Sequence, residues 1–437
     1  MSDLPRKLGL LDGALLLVGA TIGSGIFVVP ALMARRIPEP GFVIAIWIFS
    51  GLLVLCGALT LAELGAMLPQ SGGLYVYLRE AYGPFWGFLY GWTSMLVEVP
   101  GSIAALTTAF LLYLKFFLPI PVWAEKVTGL GILAVLAAVN CRGVRWGAGF
   151  QNLFTFLKLA GLAALVVLAL ALRSGEAGRL LPLAPPGWGP GLLGAVGLAM
   201  VSTLFAYNGW HFVGFLGGEI RDPARNVPRS IFIGVAIVIA VYVSASMAYY
   251  VVLGHSGVAG SERVAADAMS AMVGPGGATF ISLAILCSTF GAICANVLAG
   301  PRIFFAMARD GLFFRRMAEI HPRWQTPANA VCLLAAWAGV LTLTGGYEHL
   351  ITMAMFAAWI QFAMAIGSVI VLRRKHPEWN RPYRLAGYPA TAFVFVVVAA
   401  AFVVNTLIES TRSSLFGLGL VLAGVPAYLL WRRPRGA

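Results

Sequence analysis

Apolar stretches long enough to cross a lipid bilayer follow one another along almost the whole chain, and that excludes most folds. A hydrocarbon core of roughly 30 Å takes about 20 mostly apolar residues per helix. About twelve such stretches can be marked, at 10–33, 41–68, 85–114, 123–141, 150–172, 191–216, 231–253, 278–308, 328–343, 350–372, 389–408 and 415–431. With 60% hydrophobic and 11% charged residues among 437, and a mean hydropathy of +0.87, the composition falls outside that of soluble domains. The expectation is an all-α integral membrane protein.

Short cytoplasmic loops hold an excess of Lys and Arg. With the N-terminus inside, the basic segments (Arg6 and Lys7, Arg79, Arg142 and Arg145, Arg221 to Arg229, Arg302 to Arg323, Arg373 to Arg384, Arg432 to Arg435) fall on one face. That places both termini in the cytoplasm and the chain in a cell, or inner, membrane. The net charge of +13 is then a consequence of topology, and no nucleic-acid partner is expected. The first stretch is too long for a cleaved signal peptide and is followed by others. Cys56, Cys141, Cys287, Cys294 and Cys332 lie in or at the ends of spans, without metal spacing. Neither disulfides nor a metal site is expected.

No polar linker divides the chain, so residues 1–437 read as one membrane transport domain. Two spans are interrupted, the first at Thr21-Ile22-Gly23-Ser24-Gly25 and the sixth at Phe205-Ala206-Tyr207-Asn208-Gly209-Trp210. The interruptions fall at matching places if the chain is two five-helix repeats, about 10–172 and 191–372, followed by two further helices at about 389–431. Matching breaks are the sequence sign of an inverted-repeat transporter.

At Gly23-Ser24-Gly25 the backbone can leave the helix at low steric cost. Amides at the start of the resumed half-helix suit a carboxylate. The alternative is that Gly19, Gly23 and Gly25 simply permit close helix packing. The sixth-span break offers carbonyls to an ammonium group, or else is a kink held by aromatic packing. Finding both breaks at matched places favours a zwitterion site.

Lys158 lies roughly 12 Å into the fifth span at about 1.5 Å per residue. A charge there costs about 2.5–3.5 kcal/mol on insertion scales, so it either snorkels to the interface or faces the opened backbone of the first span. Glu98, beside Pro100-Gly101-Ser102, is a candidate to titrate in the cavity, and Asn296 is a further candidate. Glu63 reads as structural. His211, His255, His321, His349 and His376 are scattered and read as loop or interface residues. No nucleophile elbow, zinc-protease motif or phosphate loop is present, so neither an enzyme nor a cofactor is expected.

Together these segments resemble the amino acid, polyamine and organocation transporter superfamily, and within it the L-type amino-acid transporter group, nearest to bacterial serine/threonine and alanine-serine-cysteine exchangers. The likeness is carried by Thr21 to Phe27, Ala62 to Gly65 with Gly72 to Leu78, Phe205 to Trp210, and Gly218 to Pro223 with Pro228-Arg229. It implies a five-plus-five inverted-repeat fold with discontinuous first and sixth helices, and sodium-independent antiport of small neutral L-amino acids such as alanine, serine or threonine. By the same resemblance the carboxylate meets amides near Ser24 and Gly25, and the ammonium meets carbonyls near Thr21, Phe205 and Asn208. Ile22, Gly23, Ala206 and Cys294 join the site, Phe205 matches the gate, and Lys158 matches the lysine that replaces sodium. Asn208 and Cys294-Ala295 depart from the usual residues and leave the side-chain pocket open. Animal relatives bond to a glycoprotein through a cysteine after the third span. The segment Lys115 to Glu125 has none, so no disulfide-linked heavy chain is expected. The rivals are a proton-coupled symporter, with Lys158 or Glu98 titrating, and an amino-acid-binding membrane sensor.

Overall fold

A computed structural model describes residues 4–172, 175–185, 187, 189–344 and 347–432. Arg433 and Arg435 and the side chain of His349 lie outside the described residues. Among the described residues the regular structure is helical, with one isolated backbone pairing between Leu8 and Ile220. Helices suit lipid because they pair their backbone groups internally.

The first stretch is two half-helices, α1 (Leu10–Thr21) and α2 (Gly25–Ala34), bent by 40°. The Asp12 carboxylate caps the start of α1 by accepting from the Gly9 amide at 2.8 Å. Next come α3 (Pro40–Met67), a short α4 (Leu74–Tyr82), and α5 (Pro84–Thr93), which continues through a π-helical turn at Ser94–Glu98 into α6 (Val99–Phe117). The wide turn has a local cause: Pro100 has no N–H to give and crowds the carbonyl four residues back, that of Leu96. That carbonyl accepts instead from Trp337 Nε1 at 3.0 Å.

The chain proceeds through α7 (Val122–Cys141) and α8 (Val144–Ala171) to the second broken stretch, α9 (Pro190–Ala206) and a single turn, α10 (Phe212–Phe215). Then follow α11 (Pro223–Gly260), interrupted at Gly254 where φ is 70°, α12 (Val264–Val273), α13 (Pro275–Ala299) and α14 (Pro301–Arg309). The last four are α15 (Ala328–Thr344), α16 (Tyr347–Lys375), α17 (Ala390–Glu409) and α18 (Thr411–Arg432). Proline stands in the first turn of α3, α5, α9, α11, α13 and α14, a position its fixed φ suits.

Nine of these helices, among the described residues, are long and apolar enough to cross a membrane, and ten if the bent pair counts as one span. The expected twelve includes two stretches that fall short of that length, α9 and α15, each of 17 residues. Burial sorts centre from rim: the span containing α13 is 78% buried, whereas α7 is 17% buried and faces lipid. Trp123 and Trp146, near the starts of α7 and α8, are both exposed. Because these helices are antiparallel neighbours, the two indoles mark opposite membrane interfaces.

One end of the bundle is tied by buried ion pairs. Glu63 on α3, expected to be structural, accepts two bonds from Arg373 at 2.9 and 2.6 Å and a third from the Leu385 amide at 2.6 Å. Arg302 on α14 donates to both oxygens of Glu219, at 2.8 and 3.2 Å, and to the Leu298 carbonyl. The Glu219 carbonyl also accepts from the amides of Lys7 and Leu8. The segment before α1 is thereby fastened to the segment after α10.

Candidate functional site

Helix α1 stops at Thr21 because the chain turns: the Gly23 amide bonds the Thr21 carbonyl at 2.9 Å rather than that of Gly19. The carbonyls of Gly19 and Ile22 are thereby released from helical pairing. A row of side chains on α8, Gln151, Thr155 and Lys158, runs alongside α1 at i, i+4 and i+7. Gln151 Nε2 bonds the Leu15 carbonyl at 2.8 Å, and Lys158 Nζ bonds Gly19 O at 2.9 Å and Ile22 O at 2.5 Å. Lys158 is buried. Since α8 begins at Val144 rather than near 150, Lys158 stands about 21 Å along it at about 1.5 Å per residue, deeper than the sequence indicated. Snorkelling is thus excluded. From α13, Ser288 Oγ adds a bond to Ile22 O at 3.2 Å.

The second break lies directly against the first. A Cβ on Gly25 would come within 2.6 Å of Ala206 Cβ and 2.7 Å of Ala206 Cα. Gly209 holds a φ of +122°, and a Cβ there would lie 2.9 Å from the Ala20 carbonyl carbon and the Thr21 nitrogen. Both contacts involve backbone atoms or the Cβ of an alanine, which cannot yield as a flexible side chain can. A Gly25→Val variant should therefore lose transport while Gly101→Ala, with open space around it, keeps it. Comparable uptake by both variants at matched surface expression would show that the close approach is dispensable.

Between the breaks is a cavity of about 30 Å³ lined by Ala20, Thr21, Gly23, Ser24, Gly25, Ser102, Leu106, Phe205, Ala206, Asn208, Gly209, Phe212 and Asn296. That is room for roughly two water molecules at about 10–15 Å³ each, less than an amino acid occupies. The amides of Gly25 and Ile26 precede the first bond at the start of α2, from the Phe27 amide to Ser24 O at 3.1 Å, and carry the positive end of its dipole. Of the carbonyls expected to be unpaired, those of Thr21 and Phe205 have internal donors in this conformation. Phe205 O accepts from the Asn208 amide at 2.9 Å, and the Tyr242 hydroxyl lies 2.9 Å from Thr21 O and 2.7 Å from Ala206 O. One hydroxyl proton serves one acceptor at a time, and because Thr21 O already accepts from the Gly23 amide, Tyr242 can serve Ala206 O without leaving Thr21 O unpaired.

A wider cavity of about 530 Å³, lined in part by Arg6, Ser71, Arg79, Arg309 and Asp310, shares no lining residue with this one. Arg79 there bonds Asp310 at 2.5 Å and Gln70 at 3.1 Å.

Residues 8–425 match the amino acid permease family. The chain belongs to that family. The permease is similar along nearly its whole length to the serine/threonine exchanger SteT of Bacillus subtilis (31% identical, covering 98% of this chain and 97% of that one). It also resembles the human large neutral amino acids transporter small subunit 2 (32%, 98% and 80%) and the human cystine/glutamate transporter (30%, 99% and 87%). It is an amino-acid transporter of the multi-pass membrane type and not an enzyme.

In the permease, Thr21, Gly23, Ser24, Gly25, Phe205, Ala206, Asn208 and Asn296 all reach the cavity, whereas Ile22 contributes its carbonyl to Lys158 and Ser288 from behind the cavity wall. Cys294 does not reach it. The Cys294 thiol lies against α7 and α8, 3.6 Å from Asn140 Nδ2 and 3.9 Å from the Gly147 carbonyl. Two residues on a helix are about 200° apart at 3.6 residues per turn, so with Asn296 facing inward Cys294 must face out. Glu98 is also absent from the lining. It is buried beside the sixth-helix break, accepting from Ser94 Oγ at 2.6 Å and approaching His211 Nε2 at 3.4 Å. That approach lacks hydrogen-bond alignment, and Glu98 Oε1 and both His211 nitrogens have no hydrogen-bond partner.

Sequence reasoning missed Tyr242, Ser102, Ser288 and the burial of His211. The Gln151-Thr155-Lys158 row was visible as polar residues on one face of a span. A tyrosine in an apolar helix gives no comparable signal.

Proposed function

We propose that this permease is a sodium-independent antiporter of small neutral L-amino acids, working by alternating access in a bacterial-type cell membrane with both termini cytoplasmic. The reading rests on one observation: two broken helices meet at Gly25–Ala206 and Gly209–Thr21 around a common cavity. There the amide end of α2 suits a carboxylate, and the carbonyl ends of α1 and α9 suit an ammonium group. The Lys158 amine supplies donors to the Gly19 and Ile22 carbonyls at the end of α1, the role a bound sodium ion would otherwise fill. The five-plus-five inverted repeat, 10–172 and 191–372, gives the matched breaks their natural account. In transport, the substrate ammonium takes over carbonyls that Tyr242 and the turn amides hold in the contracted site, and Phe205 gates it. The name of the serine/threonine exchanger supports a small substrate. The connection between α6 and α7 is residues 118–121, Leu-Pro-Ile-Pro, so no disulfide to a heavy chain forms there. Purified protein in liposomes should take up labelled alanine or serine only when an amino acid is enclosed. Equal uptake into empty liposomes would remove the exchange claim.

The buried Glu98, with His211 Nε2 3.4 Å from its Oε1 beside the sixth-helix break, supports a second reading, proton-coupled uptake. Under it, an inward proton gradient drives accumulation into empty liposomes, and His211→Gln abolishes that drive. Absence of gradient-driven uptake in the wild type eliminates this reading.

A further inference from the structure

We infer that the permease binds an anionic membrane phospholipid in a groove at the basic end of the bundle, where the starts of α1 and α11 meet. The groove shares no lining residue with the cavity between the broken helices, and the inference does not depend on what is transported.

Arg225, Arg229, Phe232 and Ile233 stand at i, i+4, i+7 and i+8 on α11, so they share one face of the helix. All four are exposed. Two cavities adjoin along this face and share Pro228, Arg229 and Tyr383. The larger, about 570 Å³, is walled by Leu10 of α1, Leu59 of α3, Phe232 and Ile233. The smaller, about 350 Å³, lies toward the start of α11 and adds Arg225. Phe232 follows Arg225 by seven residues, about 10 Å along the axis at about 1.5 Å per residue. Leu59 stands eight residues before the end of α3 at Met67, about 12 Å in from that end. The groove therefore carries its charge at the mouth and an apolar wall running toward the middle of the membrane.

Among the described residues neither guanidinium has a hydrogen bond or ion pair to the protein, and no acidic residue lines either cavity. Other arginines at this end are matched: Arg79 with Asp310, Arg302 with Glu219 and Arg373 with Glu63. Topology accounts for arginines on this side of the membrane, but it does not account for an apolar groove leading down from two that are unmatched. A soluble anion would use the guanidinium groups and leave the wall bare. A phosphodiester headgroup satisfies the arginine forks while its acyl chain covers Leu59, Phe232 and Ile233, so an anionic lipid uses the whole groove. Bound there, it touches α1, α3, α11 and the connection from α16 to α17 together. The starts of α1 and α11 are already joined at this place, where Ser230 Oγ donates to the Leu10 carbonyl at 3.0 Å.

The test uses the purified full-length protein in detergent, titrated with phosphatidylglycerol or with phosphatidylcholine of the same acyl chains. A ligand that binds the folded state raises its melting temperature, and retained lipid is counted by native mass spectrometry. Phosphatidylglycerol should raise the melting temperature by at least about double the shift given by phosphatidylcholine, and should stay bound in the mass spectrum. Arg225→Gln combined with Arg229→Gln should abolish that difference. Arg142→Gln combined with Arg145→Gln, two exposed arginines at the same end between α7 and α8, should keep it. Equal shifts by the two lipids in the wild type overturn the inference, and that comparison stands whether or not a variant folds. Loss of the difference in both double variants also overturns it, since the effect would then be one of overall charge. So does an equal shift from sn-glycerol 3-phosphate, which carries the phosphate without the chains.

Discussion

Arg302→Ala should destabilise this protein more than any other single side-chain truncation near the site. Arg302 and Glu219 are both fully buried, and the guanidinium meets both carboxylate oxygens at 2.8 and 3.2 Å. Removing the arginine strands a carboxylate in a dry interior, a loss of about 3–5 kcal/mol. Lysine cannot reproduce the two-pronged contact, so Arg302→Lys should recover only part of it. Pairing Arg302→Met with Glu219→Gln removes both charges and should restore more than either single change. The measurement is thermal melting in detergent, followed by size-exclusion monodispersity. An alanine variant that melts with the wild type would show that the pair contributes nothing.

Lys158→Ala should lower exchange by more than about tenfold, since hydrogen bonds from a charged group are each worth about 1.5–3 kcal/mol. Two such bonds, to Gly19 O and Ile22 O at 2.9 and 2.5 Å, hold the end of α1 where the helix opens. Without them Ser288 is the side-chain donor left to Ile22 O, and the break is free to shift away from the geometry that fits a carboxylate. Arginine is a poor replacement, because its planar head is larger than an ammonium in a packed interior. Initial rates of serine counterflow at matched protein density decide the matter. Rates within twofold of the wild type for Lys158→Ala would mean that the lysine only fills space.

The two effects differ in kind. The Arg302–Glu219 pair fastens the segment after α10 to α14, and the amides of Lys7 and Leu8 bond the Glu219 carbonyl, so its loss is felt as stability. Lys158 acts where two half-helices meet around a cavity, so its loss is felt as rate.

What the sequence determined by itself was local. Long apolar runs dictated helices, because lipid offers the backbone no other partner. Gly23-Ser24-Gly25 and Phe205 to Trp210 marked the breaks, since clustered glycine and Asn-Gly segments let the backbone leave helical geometry at low cost. A lone lysine in a span had either to snorkel to the interface or to find partners inside the bundle, because a charge is costly in hydrocarbon. What only the tertiary structure decided was which distant groups meet. Tyr242 spans the ends of α1 and α9, Arg302 finds Glu219, and Glu98 lies against His211 rather than in the cavity. Cys294 and Asn296 differ by two positions in the chain, and which of them faces the cavity depends on the rotation of α13, fixed by its neighbours α6 and α8. Helix packing without a hydrophobic driving force is set by side-chain shape and interhelical hydrogen bonds, and those are properties of pairs of segments, which no single stretch of sequence contains.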